Sequence, residues 1–220
     1  KKLFYKGNEN MVLNKQKVKE FGEVFTPDSI VCDMLELVNN ELKDSSYEEY
    51  ISTTYLEPSC GDGQFLIRIL AQKMERIPKD ATVEEKKLLL VKALCSIYGV
   101  DIQEEHVDSA RKRMLDVALG KPVETFDLND KDNVIQIDLG IEMDYRYKRV
   151  LNNILENNII KGNTLADEAY FNEYEFDGMK VSIKQYRIQN MDEVVWDDKY
   201  RSYMSIPVTG NKAEEEVDLI

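Results

Sequence analysis

The sequence predicts an α/β fold with a mostly parallel sheet, flanking helices and a small β addition towards the C-terminal end. Segments typical of short strands alternate with segments whose apolar residues recur at helical spacing, which is the pattern of βαβ units. A glycine turn, Gly61-Asp62-Gly63, joins the first strand to the next helix. With 220 residues, 43% of them hydrophobic, the chain is long enough for one substantial core.

The first β-turn-α unit follows an initial helix. Apolar residues recur at helical spacing over residues 28–42, and Thr26-Pro27 before them is a plausible helix start. Residues 53–57 are typical of a short strand, and residues 65–74, after the glycine turn, are typical of a helix. Pro78 brings that helix to an end.

A second unit extends the pattern. The capping-box sequence Thr82-Val83-Glu84-Glu85 predicts the start of another helix. Residues 96–102 predict the second strand, and a helix over 104–119 comes after it, closed by Gly120.

The second half of the chain is less regular. Residues 122–138 are polar and predict a loop or a short extra element. A helix over 147–156 and a third parallel strand over 158–161 come next. The partly alternating segments 179–188 and 193–196 predict antiparallel strands.

Composition argues against several classes of protein. No window approaches the roughly 18 uninterrupted apolar residues that span a bilayer, so we expect a cytoplasmic protein without membrane contact. Cys32, Cys60 and Cys95 are odd in number and lack CxxC spacing, which favours reduced thiols over disulfides or a zinc site. The single histidine, His106, cannot form a histidine metal cluster and is interpreted as part of an exposed first helical turn. We expect no metal.

The net charge of −13 bears on nucleic acids as partners. Affinity for DNA comes largely from lysine and arginine neutralising phosphates, so the charge argues against DNA. The acidic segment Glu214-Glu215-Glu216 adds to the repulsion. If DNA is the substrate, we expect a partner protein subunit to supply much of the contact.

The glycine turn and two strand ends indicate an adenosine-type ligand. The first strand ends in Glu57 and runs into Gly61-Asp62-Gly63, where backbone amides can approach a ligand and a helix N-terminus adds positive potential. The second strand ends in Asp101, whose carboxylate can accept hydrogen bonds from both ribose hydroxyls.

Two alternatives stay open at this point. A nicotinamide dinucleotide fits the same physics, but Leu66 stands where Gly-x-Gly-x-x-Gly has its third glycine, so a ligand without phosphates fits better. Each feature also has a purely structural explanation: a strand-to-helix turn for the glycines, a helix cap for Asp101 and a helix start for Thr26-Pro27.

Two motifs in the first third of the chain resemble a known family. The segment Glu57-Pro58-Ser59-Cys60-Gly61-Asp62-Gly63-Gln64-Phe65-Leu66 resembles the cofactor loop of adenine-N6 DNA methyltransferases of type I and type II restriction-modification systems. That family carries Gly-x-x-Phe-Thr-Pro shortly before the loop, and Gly22-Glu23-Val24-Phe25-Thr26-Pro27 stands at the family's spacing. The resemblance implies a Rossmann-like S-adenosylmethionine-dependent methyltransferase fold, with S-adenosyl-L-methionine as its cofactor.

The resemblance also implies a set of cofactor contacts. Phe25, Thr26 and Pro27 are expected over the methionine end of the cofactor, whereas Asp101 is expected at its ribose and Ile102 on its adenine face. Asn163 stands where the family has an aspartate that contacts the adenine amino group, and its side-chain oxygen can accept that hydrogen bond. The loop residues implied for the cofactor's amino-acid portion are Glu57, Pro58, Ser59, Cys60, Gly61 and Gly63, and Phe65 completes the candidate set.

The family's methyl-acceptor motif is missing from this sequence. The family uses an Asn-Pro-Pro-Tyr type tetrapeptide after the fourth strand, where polar atoms hold the target amine and the aromatic ring stacks on a flipped base. Residues 176–178 begin like that strand, but no proline pair follows them. The sequence therefore assigns no catalytic residue.

We divide the chain into an N-terminal extension (1–20), a cofactor-binding methyltransferase domain (21–178), a β-rich continuation of it (179–207) and an acidic tail expected to be flexible (208–220).

Three hypotheses about the function remain. The first is an active methyltransferase of DNA or another substrate with an unusual acceptor site, for which the candidates are Asn172, Tyr174, Gln185 and Tyr186. The second is a non-catalytic, cofactor-binding subunit or decoy in restriction-modification or phage biology. The third is a methyltransferase of a protein or small molecule.

Overall fold

The computed structural model describes residues 26–127, 133–164, 169–189 and 193–206. Phe25, the predicted N-terminal extension and the predicted acidic tail lie outside these residues. In chain order the elements are α1 (Asp28–Glu41), α2 (Tyr47–Ser52), β1 (Tyr55–Glu57), α3 (Gln64–Glu75), α4 (Val83–Cys95), β2 (Ile97–Asp101), α5 (Glu104–Ala118), β3 (Val123–Glu124), β4 (Val134–Ile135), α6 (Tyr145–Asn158), β5 (Ile159–Lys161), β6 (Ala169–Asp177), β7 (Lys180–Gln189) and β8 (Glu193–Ser205).

Three strands form a parallel sheet in the order β1-β2-β5. Both pairings are parallel, with Glu57 opposite Gly99 and Asp101 opposite Lys161. The carboxyl ends of all three strands therefore meet at one edge of the sheet. The α/β class and the third parallel strand are confirmed by this arrangement.

Local sequence signals account for the helix boundaries. The capping box is present as predicted: the Thr82 hydroxyl accepts from Glu85 N at 3.2 Å, and the Glu85 carboxylate accepts from Thr82 N at 2.8 Å. Asp144 caps α6 in a similar way by accepting from Tyr147 N at 2.8 Å. Such caps satisfy backbone donors that have no partner inside the helix.

The two faces of the parallel sheet are covered differently. Successive strand residues point to opposite faces, and Ile97 joins the main apolar core with the helices. Tyr98 and Val100 on the opposite face pack instead with Phe171 of β6, whose ring meets that of Tyr98 edge to face at 5.4 Å. Helices therefore cover one face, and β6 contributes to the cover of the other.

The antiparallel part of the fold differs from the sequence expectation at one point. β6, β7 and β8 form a separate antiparallel sheet, which confirms antiparallel strands over 179–188 and 193–196. The interpretation of residues 176–178 as the beginning of a fourth parallel strand is wrong. Phe176 and Asp177 end β6, and Gly178, with φ +58°, lies in the turn that returns the chain into β7. A long ladder with β7 satisfies the backbone groups that a parallel neighbour would have used.

The polar stretch over 122–138 contains a small hairpin in its described residues. β3 pairs with β4, with Val123 opposite Ile135 and Glu124 opposite Val134. Val123 and Ile135 are buried and extend the main core. No helix in the described ranges combines the length and the apolar character needed to cross a bilayer.

Candidate functional site

The candidate site lies where β1 and β2 end and the glycine turn begins. Cys60 N donates to Val100 O at 2.9 Å, which attaches the turn to the end of β2. Gly162 N donates to Asp101 O at 2.9 Å and attaches the segment after β5 to the same strand. These backbone bonds bring three of the predicted site segments, 57–63, 101–102 and 162–163, to one edge of the sheet.

The two glycines of the turn serve different purposes. Gly61 and Gly63 both have left-handed backbones, with φ +54° and +88°, a conformation that favours glycine. A Cβ on Gly63 would lie 2.9 Å from Ala110 Cβ, so this glycine also lets α3 approach α5 closely. A Cβ on Gly61 would have no atom within 4 Å. The turn therefore leaves open space beside Gly61.

The side chains of Cys60 and Phe65 face the protein interior. Cys60 is buried, and a Cβ on Gly99 would lie 3.2 Å from its Sγ, so a glycine in β2 makes room for this thiol. Burial raises the pKa of Cys60 to about 12. Phe65 packs against the main core. Both residues shape the turn from inside.

Asp101 is the central acceptor of the site, and only 6% of its surface is exposed. Its Oδ2 accepts from Gly61 N at 2.9 Å, and its Oδ1 accepts from Gln103 N at 2.9 Å. Nδ1 of His106 lies 3.2 Å from the same Oδ1. A buried carboxylate with several donors is held in one orientation. Asp101 thus joins the end of β2 to the glycine turn and to α5.

The expectation for His106 is wrong in one respect. It lies in the first turn of α5, as predicted, but its side chain is only 12% exposed and contacts Asp101. The sequence signal was its position five residues after a strand-ending acid. That spacing alone does not reveal whether the ring turns towards the strand end or towards solvent.

The remaining loop and strand-end residues are more accessible. The half-buried Glu57 accepts from Ser59 N at 3.3 Å, and burial raises the pKa of its carboxyl group. Pro58 and Ser59 are exposed, and Pro58 O accepts from the hydroxyl of Thr164 at 3.1 Å. That contact closes the segment after β5 onto the glycine turn.

An apolar residue and an amide stand near the same edge. Ile102, next to Asp101, is 52% exposed although isoleucine is usually buried. Asn163, two residues beyond the end of β5, is half-buried. Both follow strands whose carboxyl ends form the candidate site, so the edge presents an apolar surface as well as acceptors.

A buried charge network attaches the start of α1 to the start of α3. Pro27 precedes α1, and Asp28 directly after it is 2% exposed. Its carboxylate pairs with Arg68, and it accepts from Gln64 Nε2 at 3.4 Å and from Asn133 Nδ2 at 2.7 Å. The half-buried Thr26 and Pro27 are thereby held beside the helix that begins at the glycine turn.

A second arginine continues the network into the turn itself. Arg113 of α5 lies 2.7 Å from Asp62 Oδ2, and it donates to Gln64 Oε1 at 2.9 Å and to Glu124 O at 3.0 Å. Sequence reasoning did not identify Asp28, Arg68 or Arg113. Arg68 lies one turn after Gln64 on the same face of α3, which is a usable but weak signal.

The four candidates for an unusual acceptor site belong to β6 and β7. Asn172 is buried, and its carbonyl accepts from the Tyr98 hydroxyl at 2.6 Å. The Tyr174 hydroxyl donates to Asn158 Oδ1 at 2.7 Å. Asn172 stands opposite Gln185 in the ladder, and the side chain of Tyr186 is outside what the structure describes. The described contacts of Asn172 and Tyr174 attach β6 to the rest of the fold.

A surface depression of about 570 Å³ lies away from this edge, lined in part by Tyr47, Pro78, Glu85 and Leu89. Within the described ranges, no group of three or more His, Cys, Asp or Glu side chains is arranged to hold a metal ion.

No family model matches the chain, no curated protein is detectably similar to it, and no solved structure matches it.

Proposed function

We propose that this protein binds S-adenosyl-L-methionine at the carboxyl edge of its parallel sheet and is a methyltransferase-like protein of Rossmann-like fold. The proposal relates it to the adenine-N6 DNA methyltransferases of restriction-modification systems. The observation that carries it is the buried carboxylate of Asp101, bonded to the amide of Gly61 beside open space. A strand-end acid next to a glycine turn is the arrangement that binds the ribose of adenosine-containing ligands.

The residues at this edge fit the cofactor in their chemistry. Asp101 offers acceptors for the ribose hydroxyls, and the exposed Ile102 offers an apolar surface for the adenine ring. The open space beside Gly61 allows a ligand to approach the backbone of the turn. The N-terminus of α3, which begins after Gly63, favours a carboxylate such as that of the methionine portion.

The chain's own residues would mainly bind and orient the cofactor. S-adenosylmethionine supplies, when bound, a methyl group already activated by its sulfonium. Asp101 would hold the ribose, and the turn at Gly61 would hold the amino-acid portion. Thr26 and Pro27, fixed through the pairing of Asp28 with Arg68, would cover the methionine end. Precise alignment of the two reacting groups is a large part of what such a site contributes.

A calorimetric titration with S-adenosylmethionine tests the binding site. Asp101→Ala removes a charged acceptor, so we expect a loss of about 1.5–3 kcal/mol, roughly 10- to 150-fold in affinity. Asp101→Asn, which keeps the shape of the side chain, serves as a second variant in case the alanine variant unfolds. Thermal unfolding of each variant is recorded alongside. Unchanged affinity in a folded Asp101 variant would show that the ribose binds elsewhere.

A transfer assay tests the reaction. The chain is incubated with methyl-labelled cofactor and duplex DNA over a range of salt concentrations, with and without a cell lysate that contains partner proteins. Because the chain carries a net charge of −13, we expect DNA binding to depend on a basic partner subunit. Labelled N6-methyladenine supports the methyltransferase function, and label in protein or a small molecule instead points to another substrate class.

A second candidate function is a cofactor-binding subunit or decoy that does not transfer methyl groups. It is favoured by the antiparallel pairing of β6 with β7, which uses Phe176 and Asp177 where the family's acceptor strand was expected. Tight cofactor binding without transfer to any substrate, with or without lysate, would support it. Turnover by the isolated chain would rule it out.

A further inference from the structure

One side of α1 is apolar and exposed. The buried side of this helix packs on the main core through Val31 and Leu35. Four large apolar residues outside that side are between 41% and 71% exposed, and together they form what we call the α1 stripe: Ile30, Met34, Leu37 and Val38. Residues three and four apart are neighbours on a helix surface, so the four side chains are contiguous. Contiguous exposed apolar residues mark an interaction surface, whereas scattered ones do not.

The charged residues of α1 are all acidic. Asp28 is buried against Arg68, and the exposed ones are Asp33, Glu36 and Glu41. The helix contains no lysine or arginine. Asp33 and Glu41 stand three or four residues from members of the α1 stripe and therefore flank it. Two α1 stripes in contact would bring like charges together, which disfavours a second copy of this chain as the occupant. The surface that fits the stripe is apolar and basic.

The predicted N-terminal extension, residues 1–20, has this complementary composition. It contains six lysines and two glutamates, whereas the whole chain has 29 basic and 42 acidic residues. Its apolar run Met11-Val12-Leu13 is followed by Lys15, Lys17 and Lys19. Apolar and basic residues thus stand close together in the extension, as the α1 stripe and its acidic flanks require.

The extension is also close to the α1 stripe along the chain. Five residues, 21–25, join it to Thr26, and five residues span about 17 Å when extended. Met34, in the middle of the stripe, lies about 10 Å along the helix axis from Pro27. The extension can therefore reach the stripe. A tethered segment has a high effective concentration, which favours it over a separate partner of the same chemistry.

We propose that the N-terminal extension packs on the α1 stripe, with the run Met11-Val12-Leu13 against the apolar residues and the following lysines beside Asp33 and Glu41. This contact removes an apolar patch from water and neutralises acidic charge. Because α1 begins directly after Pro27, the contact also brings lysines near the Thr26-Pro27 end of the candidate site, in a chain whose net charge is −13.

Oxidation of Met34 by hydroxyl radicals, measured by mass spectrometry on the 220-residue chain, tests the contact. Met34 is 51% exposed, so a segment that packs on it slows the oxidation of its thioether. The apolar variant carries Met11→Gln, Val12→Gln and Leu13→Gln. We expect its Met34 to be oxidised at least about threefold faster than that of the wild type, which corresponds to a stripe that is covered for about two-thirds of the time.

The matched control carries Asn8→Gln, Asn10→Gln and Asn14→Gln. It introduces the same number of glutamines into the same part of the extension but removes no apolar group. Its Met34 should be oxidised at the wild-type rate. Neither variant changes a residue that the structure describes, and the buried Met114 provides an internal reference for unfolding.

A lysine variant tests the choice of occupant by charge. Lys15→Gln, Lys17→Gln and Lys19→Gln together should make Met34 oxidation about twofold faster than in the wild type at low salt. The two rates should converge at about 1 M salt, where charges are screened within about 3 Å. Equal rates at low salt would overturn the assignment of the stripe to a basic segment.

Two further outcomes would overturn the proposal. Equal Met34 oxidation in the wild type and the apolar variant would show that the extension does not cover the α1 stripe. A wild-type rate that rises on dilution would show that a second copy of the chain covers it instead. Cofactor binding enters none of these readouts, so their outcome is independent of the proposed function.

Discussion

The glycine turn allows cofactor binding to be separated from stability with two matched alanine substitutions. Gly61 has φ +54° and Gly140 has φ +66°, and a Cβ added to either would have no atom within 4 Å. Both substitutions therefore cost only the strain of a left-handed alanine, about 1–2 kcal/mol. Only Gly61→Ala places a methyl group in the open space of the proposed site. Gly140→Ala is its control.

Gly63→Ala provides the contrast in stability. Its Cβ would lie 2.9 Å from Ala110 Cβ and 3.0 Å from Ala110 Cα, so α3 and α5 would have to separate. Overpacking of this kind costs about 1–3 kcal/mol, which adds to a backbone strain of about 1–2 kcal/mol. We expect a total loss of about 2–5 kcal/mol in the free energy of unfolding.

The assay combines urea unfolding with calorimetric titration of S-adenosylhomocysteine. Gly61→Ala and Gly140→Ala should lose similar stability, but only Gly61→Ala should lose affinity, by about tenfold or more, equivalent to about 1.4 kcal/mol. If Gly61→Ala binds as tightly as Gly140→Ala, the space beside Gly61 does not receive the cofactor. If Gly63→Ala is no less stable than Gly61→Ala, a Cβ at position 63 does not force α3 and α5 apart.

Three further predictions concern buried groups. Arg68→Met leaves the Asp28 carboxylate buried without its cation, so the free energy of unfolding in urea should fall by about 3–5 kcal/mol. Lys112→Met, which removes the cation of an exposed pair, is the control and should lower it by less than about 1 kcal/mol. Equal losses would contradict a stabilising role for the pairing of Asp28 with Arg68. Burial lowers the pKa of Lys73 to about 7, below its unfolded value of 10.5, so the unfolded chain holds more protons between these values. The free energy of unfolding, measured relative to Lys73→Met, should rise across that window, and a fall would mean that the carbonyls around Lys73 retain its proton. Cys60, with its pKa raised to about 12, should react with a thiol reagent at pH 8 far more slowly in the native protein than in urea, and equal rates would show that the thiol is exposed.

Lys73, which lies outside the candidate site, supports the fold. Its ammonium donates to Ile51 O at 2.7 Å, Thr53 O at 2.6 Å and Ser96 Oγ at 2.8 Å, with none of its surface exposed. These contacts join the end of α2 to the chain before β2. The carbonyl and hydroxyl acceptors favour the charged form of Lys73, whereas burial opposes it. The pH dependence of the free energy of unfolding therefore shows which of the two effects is larger.

Most elements of the parallel part could be predicted because their signals are local, but the short helix α2 (Tyr47–Ser52) was not predicted. The capping box at Thr82 and Glu85, the apolar spacing of α3 and α5, and the glycine turn each lie within a few residues of the element they define. Element boundaries differ from the expectation by about one or two residues, as is usual for helix ends. The third strand was also identified, because it follows a strongly periodic helix.

The contacts across the fold could not be predicted from these signals. Tyr98 bonds Asn172 across 74 positions and Asp28 bonds Asn133 across 105, and no local pattern encodes which partner a buried polar group finds. The prediction of a parallel strand beginning at residues 176–178 was wrong for the same reason: three residues do not specify whether the neighbouring strand is parallel or antiparallel. His106 was placed on the correct helical turn, but its orientation depends on the strand end beside it.

The central claim is that an adenosine-containing cofactor binds at the carboxyl edge of β1 and β2. A crystal structure of the chain with S-adenosylhomocysteine tests it most directly. We predict ribose hydroxyls on the Asp101 carboxylate, the adenine ring against Ile102 and the amino-acid portion beside Gly61. A ligand bound elsewhere, for instance in the depression beside Tyr47 and Leu89, or a ribose that does not contact Asp101, would contradict it.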